Sequence, residues 1–130
     1  IILIMEIKTK GQSEAAISET MIKFEKDFMG RGPTEVKSYI IDDMILVRLK
    51  KVLTPAEERL AKMSDGLKLI KRTRVELLEN SRELLEKLIN EITGCQVKSL
   101  HTDISIKTGE RIIIFVLKNN LENRFKKKTA

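Results

Sequence analysis

VKSYIIDDMILVRL (residues 36–49) and VKSLHTDISIKTGERIIIFVL (residues 97–117) each read as two short strands around a turn, and each follows a helical stretch that stops at a glycine. The order helix–hairpin therefore occurs twice, which predicts an α+β domain with a mainly antiparallel sheet. In the first stretch, a two-residue turn at Asp42-Asp43 pairs Ile41 with Met44 and Ile40 with Ile45. Val36, Ile40, Ile45, Val47 and Leu49 then share one face, and Tyr39, Ile41, Met44 and Leu46 the other. In the second, a turn at Thr108-Gly109 sets Lys107 opposite Glu110 and Ile104 opposite Ile113. Leu100, Ile104, Ile106, Ile113, Phe115 and Leu117 take one face. Ile112, Ile114 and Val116 share the other with Ser99, His101, Asp103 and Ser105. A sheet wetted on one side alternates cleanly between apolar and polar residues. These strands are apolar on both sides, so both faces are expected to be covered, one by helices and the other by a second copy in a homodimer.

Helical signals fill the intervals. Ile17, Met21, Phe24 and Phe28 mark one face of a helix over about 13–29, with Lys23, Glu25, Lys26 and Asp27 largely away from it. Gly30-Arg31-Gly32-Pro33 ends that helix. Thr54, Pro55 and Glu57 form a capping-box start. That helix is expected to reach about Met63 and to break or kink at Ser64-Asp65-Gly66, where Ser64 or Asp65 could cap a new start. A longer helix follows from Leu67 to Thr93, striped by Leu77, Leu78, Leu84, Leu85, Leu88, Ile89 and Ile92, and stops at Gly94.

At 130 residues the chain is long enough for one domain with its own core. Residues 11–121 are read as that domain, 1–10 as a lead and 122–130 as a basic tail ending in Lys126-Lys127-Lys128. A single cysteine, Cys95, excludes an internal disulfide and a multi-cysteine metal site, and points to a buried thiol in a cytoplasmic protein. The apolar run Ile1–Met5 is far below the roughly 20 residues of a membrane span, so no membrane insertion is expected. It reads as an extra strand, a disordered lead, or sequence upstream of a start at Met5. Net charge of +6 permits contact with nucleic acid or an anionic surface without requiring either.

Few residues bear chemistry. His101 and Asp103, two apart on a strand, point to one face about 7 Å from each other. The pair fits a polar patch or a structural hydrogen bond, and alternatively a ligand site. Arg31 between two glycines is a candidate anion contact. The loop order is helix–loop–strand, however, so it meets the negative helix end rather than forming a phosphate loop. Lys68, Lys71, Arg72 and Arg74 form a basic cluster that reads as a solvated helix face or a nucleic-acid surface. With aromatics at 4%, stacking platforms for bases are scarce. No nucleophile–base pair, metal set or cofactor motif is legible, so a non-enzymatic role is expected.

Gly30-Arg31-Gly32-Pro33-Thr34-Glu35-Val36, Ile41-Asp42-Asp43-Met44-Ile45, Leu53-Thr54-Pro55-Ala56-Glu57 and His101-Thr102-Asp103-Ile104-Ser105 occur in that order, followed by Lys107-Thr108-Gly109-Glu110-Arg111. Over about 11–121 this pattern resembles the MpsC-like family, formerly a domain of unknown function. The family is named for the C component of a sodium-translocating, membrane-potential-generating system. The resemblance implies a cytoplasmic accessory subunit with a membrane-protein partner, at the membrane only through that partner. It carries no catalytic residues over to these motifs. The alternatives from the residues are a basic nucleic-acid-binding module and an anion- or small-molecule-binding regulator using Arg31, His101 and Asp103.

Overall fold

The computed structural model describes residues 8–126. The leading Ile1–Met5 run and the last two lysines of the terminal run lie outside them. The elements in order are α1 (Lys10–Met29), β1 (Glu35–Ile41), β2 (Met44–Lys50), α2 (Pro55–Leu60), α3 (Ser64–Asn80), α4 (Arg82–Thr93), β3 (Val97–Ser105), β4 (Glu110–Leu117) and α5 (Leu121–Lys126). The α+β expectation holds. The four strands form one antiparallel sheet in the order β1-β2-β4-β3, so the two hairpins meet through their second strands.

Local chemistry sets most boundaries. Helix α1 begins three residues before the expected start, because Thr9 and Gln12 form a capping box with each other's backbone. Gly30 closes it with φ 90°, in the left-handed region. Thr54 and Glu57 form the second capping box, as expected, with Pro55 in the first turn of α2. That helix stops at Leu60, earlier than Met63. Neither Ser64 nor Asp65 caps α3, since Met63 occupies the cap with no side-chain hydrogen bond. Gly66 is not a break either. It lies buried inside α3, where an added Cβ would stand 2.0 Å from the Leu60 carbonyl oxygen. The missing side chain lets α2 and α3 meet at their corner. The expected single helix over 67–93 is divided at Ser81, with φ −104° and ψ 5°. Asn80 and Ser81 are weak helix formers, and the Ser81 amide turns back to the Leu78 and Glu79 carbonyls at the break.

The first hairpin has the expected register, with Ile40 opposite Ile45 and Ile41 opposite Met44. Asp42 takes the positive φ (54°) that its turn demands. The second hairpin differs from expectation. Ile104 lies opposite Arg111 and Ser105 opposite Glu110, which leaves 106–109 in the turn. The slip is two residues, so every side chain stays on its expected face.

All the fully buried sheet positions lie on one side. Ile40, Ile45, Val47, Leu49, Ile113 and Phe115 are at most 1% exposed there. They pack with Ile17 and Met21 of α1, Ile70 and Leu78 of α3, and Leu85 and Ile89 of α4 in one core. Phe28, expected in the core, is half exposed and stacks on Phe24 at a centroid separation of 5.2 Å. Leu77 also faces outward. Leu121, the last residue of the expected domain, is buried in the core, and the helix it begins carries on through 122–126 of the expected basic tail. Glu122 accepts from the Asp42 amide at 2.7 Å and from Lys10 at 2.8 Å, tying α5 to the first hairpin turn and to the start of α1.

Candidate functional site: a buried ion cluster beneath an open sheet face

Charge enters the core at three positions that follow the apolar spacing. Glu25 continues the four-residue series Ser13, Ile17 and Met21 along α1, and all four are buried. Arg74 continues Gly66 and Ile70 along α3. Arg111 alternates with Ile113, Phe115 and Leu117 along β4. Glu25, Arg74 and Arg111 are 0–1% exposed. Both Glu25 and Arg74 correct the sequence reading, in which Glu25 lay away from the core face and Arg74 belonged to the exposed basic cluster.

The three groups neutralise one another together with Glu57. Glu25 Oε1 accepts from Arg74 Nη1 at 3.4 Å, and Oε2 from Arg111 Nη1 at 3.3 Å. Arg74 grips Glu57 with two parallel hydrogen bonds, Nε to Oε2 at 2.9 Å and Nη2 to Oε1 at 2.6 Å. It also donates to the Val52 carbonyl at 2.8 Å. Arg111 Nη2 donates to the Arg74 carbonyl at 3.3 Å, and its buried Nε has no partner. Two cations and two carboxylates thus pin α1, α2, α3 and β4 around one point. This forked geometry suits arginine, whose planar donors match carboxylates in pairs.

Titration follows from these surroundings. Burial pushes the Glu25 carboxyl up, against the pull of Arg111 and Arg74. Burial also opposes charge on Glu57, but hydrogen bonds from Arg74 and the Thr54 amide outweigh it and hold the carboxyl below its ordinary value. Arg111 is lowered by burial. The capping box at Thr54 is therefore also the support that aims Glu57 at Arg74.

The other proposed site residues are spread apart. Arg31 donates to the Leu53 carbonyl at 2.7 Å and braces the loop before α2. His101 and Asp103 share the outward sheet face, in neighbouring rows, as expected. His101 pairs with Ser99 at 3.1 Å. Asp103 accepts from the Ile104 amide at 2.8 Å and lies 3.6 Å from Lys71. Arg31 is not brought to them by any contact described above. Lys68, Lys71 and Arg72 are exposed on α3, with Arg72 3.8 Å from Glu76. Among the described residues no group of three or more His, Cys, Asp or Glu could hold a metal ion. A groove of about 550 Å³ between the α2–α3 corner and the β3–β4 turn is lined by Lys51, Lys62 and Lys107 over Leu53 and Ile106. It contains none of the ligand- or anion-binding candidates Arg31, His101 and Asp103.

Across the sheet from the ion cluster lies a face that no helix buries. Its rows, from β1 to β3, are Ile41–Met44–Val116–Ser99, Tyr39–Leu46–Ile114–His101 and Lys37–Arg48–Ile112–Asp103. Tyr39 and Ile41 are 40% and 44% exposed, and the five central apolar residues are only partly buried.

Residues 9–119 match the family model for MpsC, described as a Na+-translocating membrane potential-generating system. The chain belongs to the MpsC family. It is 48% identical over 120 residues to the uncharacterised protein YbcI of Bacillus subtilis (strain 168), covering 92% of this chain and 97% of YbcI. It is 22% identical over 104 residues to YrhF of the same organism, also uncharacterised, covering 78% of this chain and 84% of YrhF. No solved structure matches. Among the described residues of this MpsC family member, no helix is long and apolar enough to cross a membrane.

Proposed function

We propose that this MpsC family member is a non-enzymatic, cytoplasmic accessory component of a sodium-translocating, membrane-potential-generating system. It acts by binding a membrane-protein partner, which carries out the translocation. The observation that carries this reading is the family match over 9–119, joined to the absence of a membrane-crossing helix among the described residues. The interior charges support a structural assignment, because Glu25, Arg74, Arg111 and Glu57 are spent on one another.

Purification of the tagged protein from its native cells in mild detergent tests the reading. The expected result is co-purification of a polytopic membrane protein, together with a fall in membrane potential and sodium tolerance when the gene is deleted. Unchanged potential and sodium tolerance on deletion would contradict it. The same preparation addresses the nucleic-acid alternative, since bound nucleic acid would leave steeply with salt. That alternative loses Arg74 to the core, and Lys71 and Arg72 each sit beside a carboxylate.

A further inference from the structure

The outward sheet face is apolar in its centre and divided in its charge. Among the outward residues of β1 and β2, Lys37, Arg48 and Lys50 outnumber Glu35; in the outward rows of β3 and β4 the charged residues are Asp103 and Glu110, while Arg111 points into the core and Lys98 is exposed at the bulge end of β3. Arg48 already reaches Glu110 across the β2–β4 boundary, Lys50 lies 3.8 Å from Glu35, and Lys71 of α3 lies 3.6 Å from Asp103, all of them in exposed pairs that a partner's charges can share. A partner that is apolar in the middle, acidic over Lys37 and basic over Asp103 and Glu110 complements this face.

We infer that the partner is a second copy of this chain, packed face to face about a twofold axis that runs parallel to the strands between β2 and β4. This operation sets β1 over β3 and β2 over β4 of the other copy and keeps each row in place. Leu46 then meets Ile114, Met44 meets Val116, and Tyr39 meets His101. Lys37 meets Asp103, and one row beyond the paired register Lys50 meets Glu110. Every contact occurs twice, as a twofold interface requires. The alternative axis, across the strands, sets β1 over β1 and leaves Lys37 over Ile41, with no acid opposite. Aligned sheets cross at about 30°, which moves the edge strands by about one residue step, within the reach of a lysine side chain. Four strands about 4.8 Å apart, sharing the seven-residue length of β1 and β2, give a face on the order of 450 Å² in projection. That area is small for a protein interface, so association in the micromolar range is expected. The inference is independent of the sodium-system reading.

Sedimentation of the full chain at roughly 100 µM, well above that range, tests it. The expected particle has twice the 14.9 kDa chain mass. Leu46→Asp is expected to leave the far-ultraviolet spectrum unchanged and to abolish the dimer. Lys37→Glu and Asp103→Lys should each raise the dissociation constant about five- to twenty-fold, two exposed ion pairs being lost each time. Combined, they should restore it to within about twofold, a rescue that misfolding cannot imitate. A particle of single mass would give the face to another occupant and overturn the inference. So would a dimer indifferent to Leu46→Asp, or charge reversals that add rather than cancel.

Discussion

The two faces of the sheet use the same kinds of residue for opposite ends. Ile113 and Ile114 are neighbours on β4, yet Ile113 is fully buried against the helices and Ile114 lies only partly buried on the open side. The inner face also holds the buried charges, while the outer face keeps its charges at the rim of an apolar centre. Burial of a charge demands a partner in the same chain, because an unpaired ion in the core is very costly. The rim charges carry no such demand: Arg48–Glu110, Lys50–Glu35 and Lys71–Asp103 pair where solvent reaches them, and such pairs can also select what lies above them. Conformational stability should therefore reside on the inner side, and association on the outer.

The largest effect should come from breaking the ion cluster. Glu25→Ala leaves Arg74 and Arg111 facing each other without their shared carboxylate, and should cost about 3–5 kcal/mol in urea unfolding. A loss of that size is a large share of the roughly 5–15 kcal/mol typical of a domain. Replacing Glu25, Arg74 and Arg111 together by apolar residues of similar volume, with Glu57→Gln to neutralise the fourth charge, should cost less than Glu25→Ala alone, since no orphan charge remains. Gly66→Ala should follow, at about 1–3 kcal/mol, because its Cβ must displace the Leu60 backbone. Thermal unfolding would show it as a lowered Tm. Thr54→Ala should cost about 1 kcal/mol for the cap, and it should also loosen Glu57 from Arg74.

Glu57 and Glu25 contribute to the acid response with opposite signs, since the first carboxyl is lowered and the second raised, and Glu57 can be followed separately by substitution. The Glu57 carboxyl binds a proton less readily in the folded chain than in the unfolded one, so its contribution is fully present above the ordinary value of 4.5. It is lost as pH falls from there through the lowered folded value. Glu57→Gln should flatten stability against pH in that window. A curve unchanged by the substitution would remove Glu57 from the cluster's energetics.

Much of this division was legible in the sequence. Strand alternation assigned nearly every apolar side chain to its correct face, even in the second hairpin, where the register slipped by two residues and so preserved the faces. The helix caps at Gly30, Thr54 and Gly94 were equally readable, since each is a local interaction. The ion cluster was not read, because charge was taken as a sign of solvent exposure. A signal did exist: Glu25 and Arg74 sit at four-residue steps from apolar positions, and Arg111 begins an alternating buried series. What no local pattern could supply was the meeting of these three, which depends on how α1, α3 and β4 are stacked. The same holds for Arg31, His101 and Asp103. Sequence placed the last two on one face correctly, but the brace from Arg31 to Leu53 is a tertiary contact.

The division between faces is tested most directly by urea unfolding of Ile113→Ala and Ile114→Ala, measured at concentrations dilute enough to exclude association. The residue type, strand and truncation are the same, and only the face differs. Ile113→Ala is expected to lose about 2–5 kcal/mol, as a large-to-small change in a packed core does. Ile114→Ala is expected to lose less than about 1 kcal/mol. Equal losses, or a larger loss at Ile114, would contradict the assignment of stability to the inner face and contact to the outer.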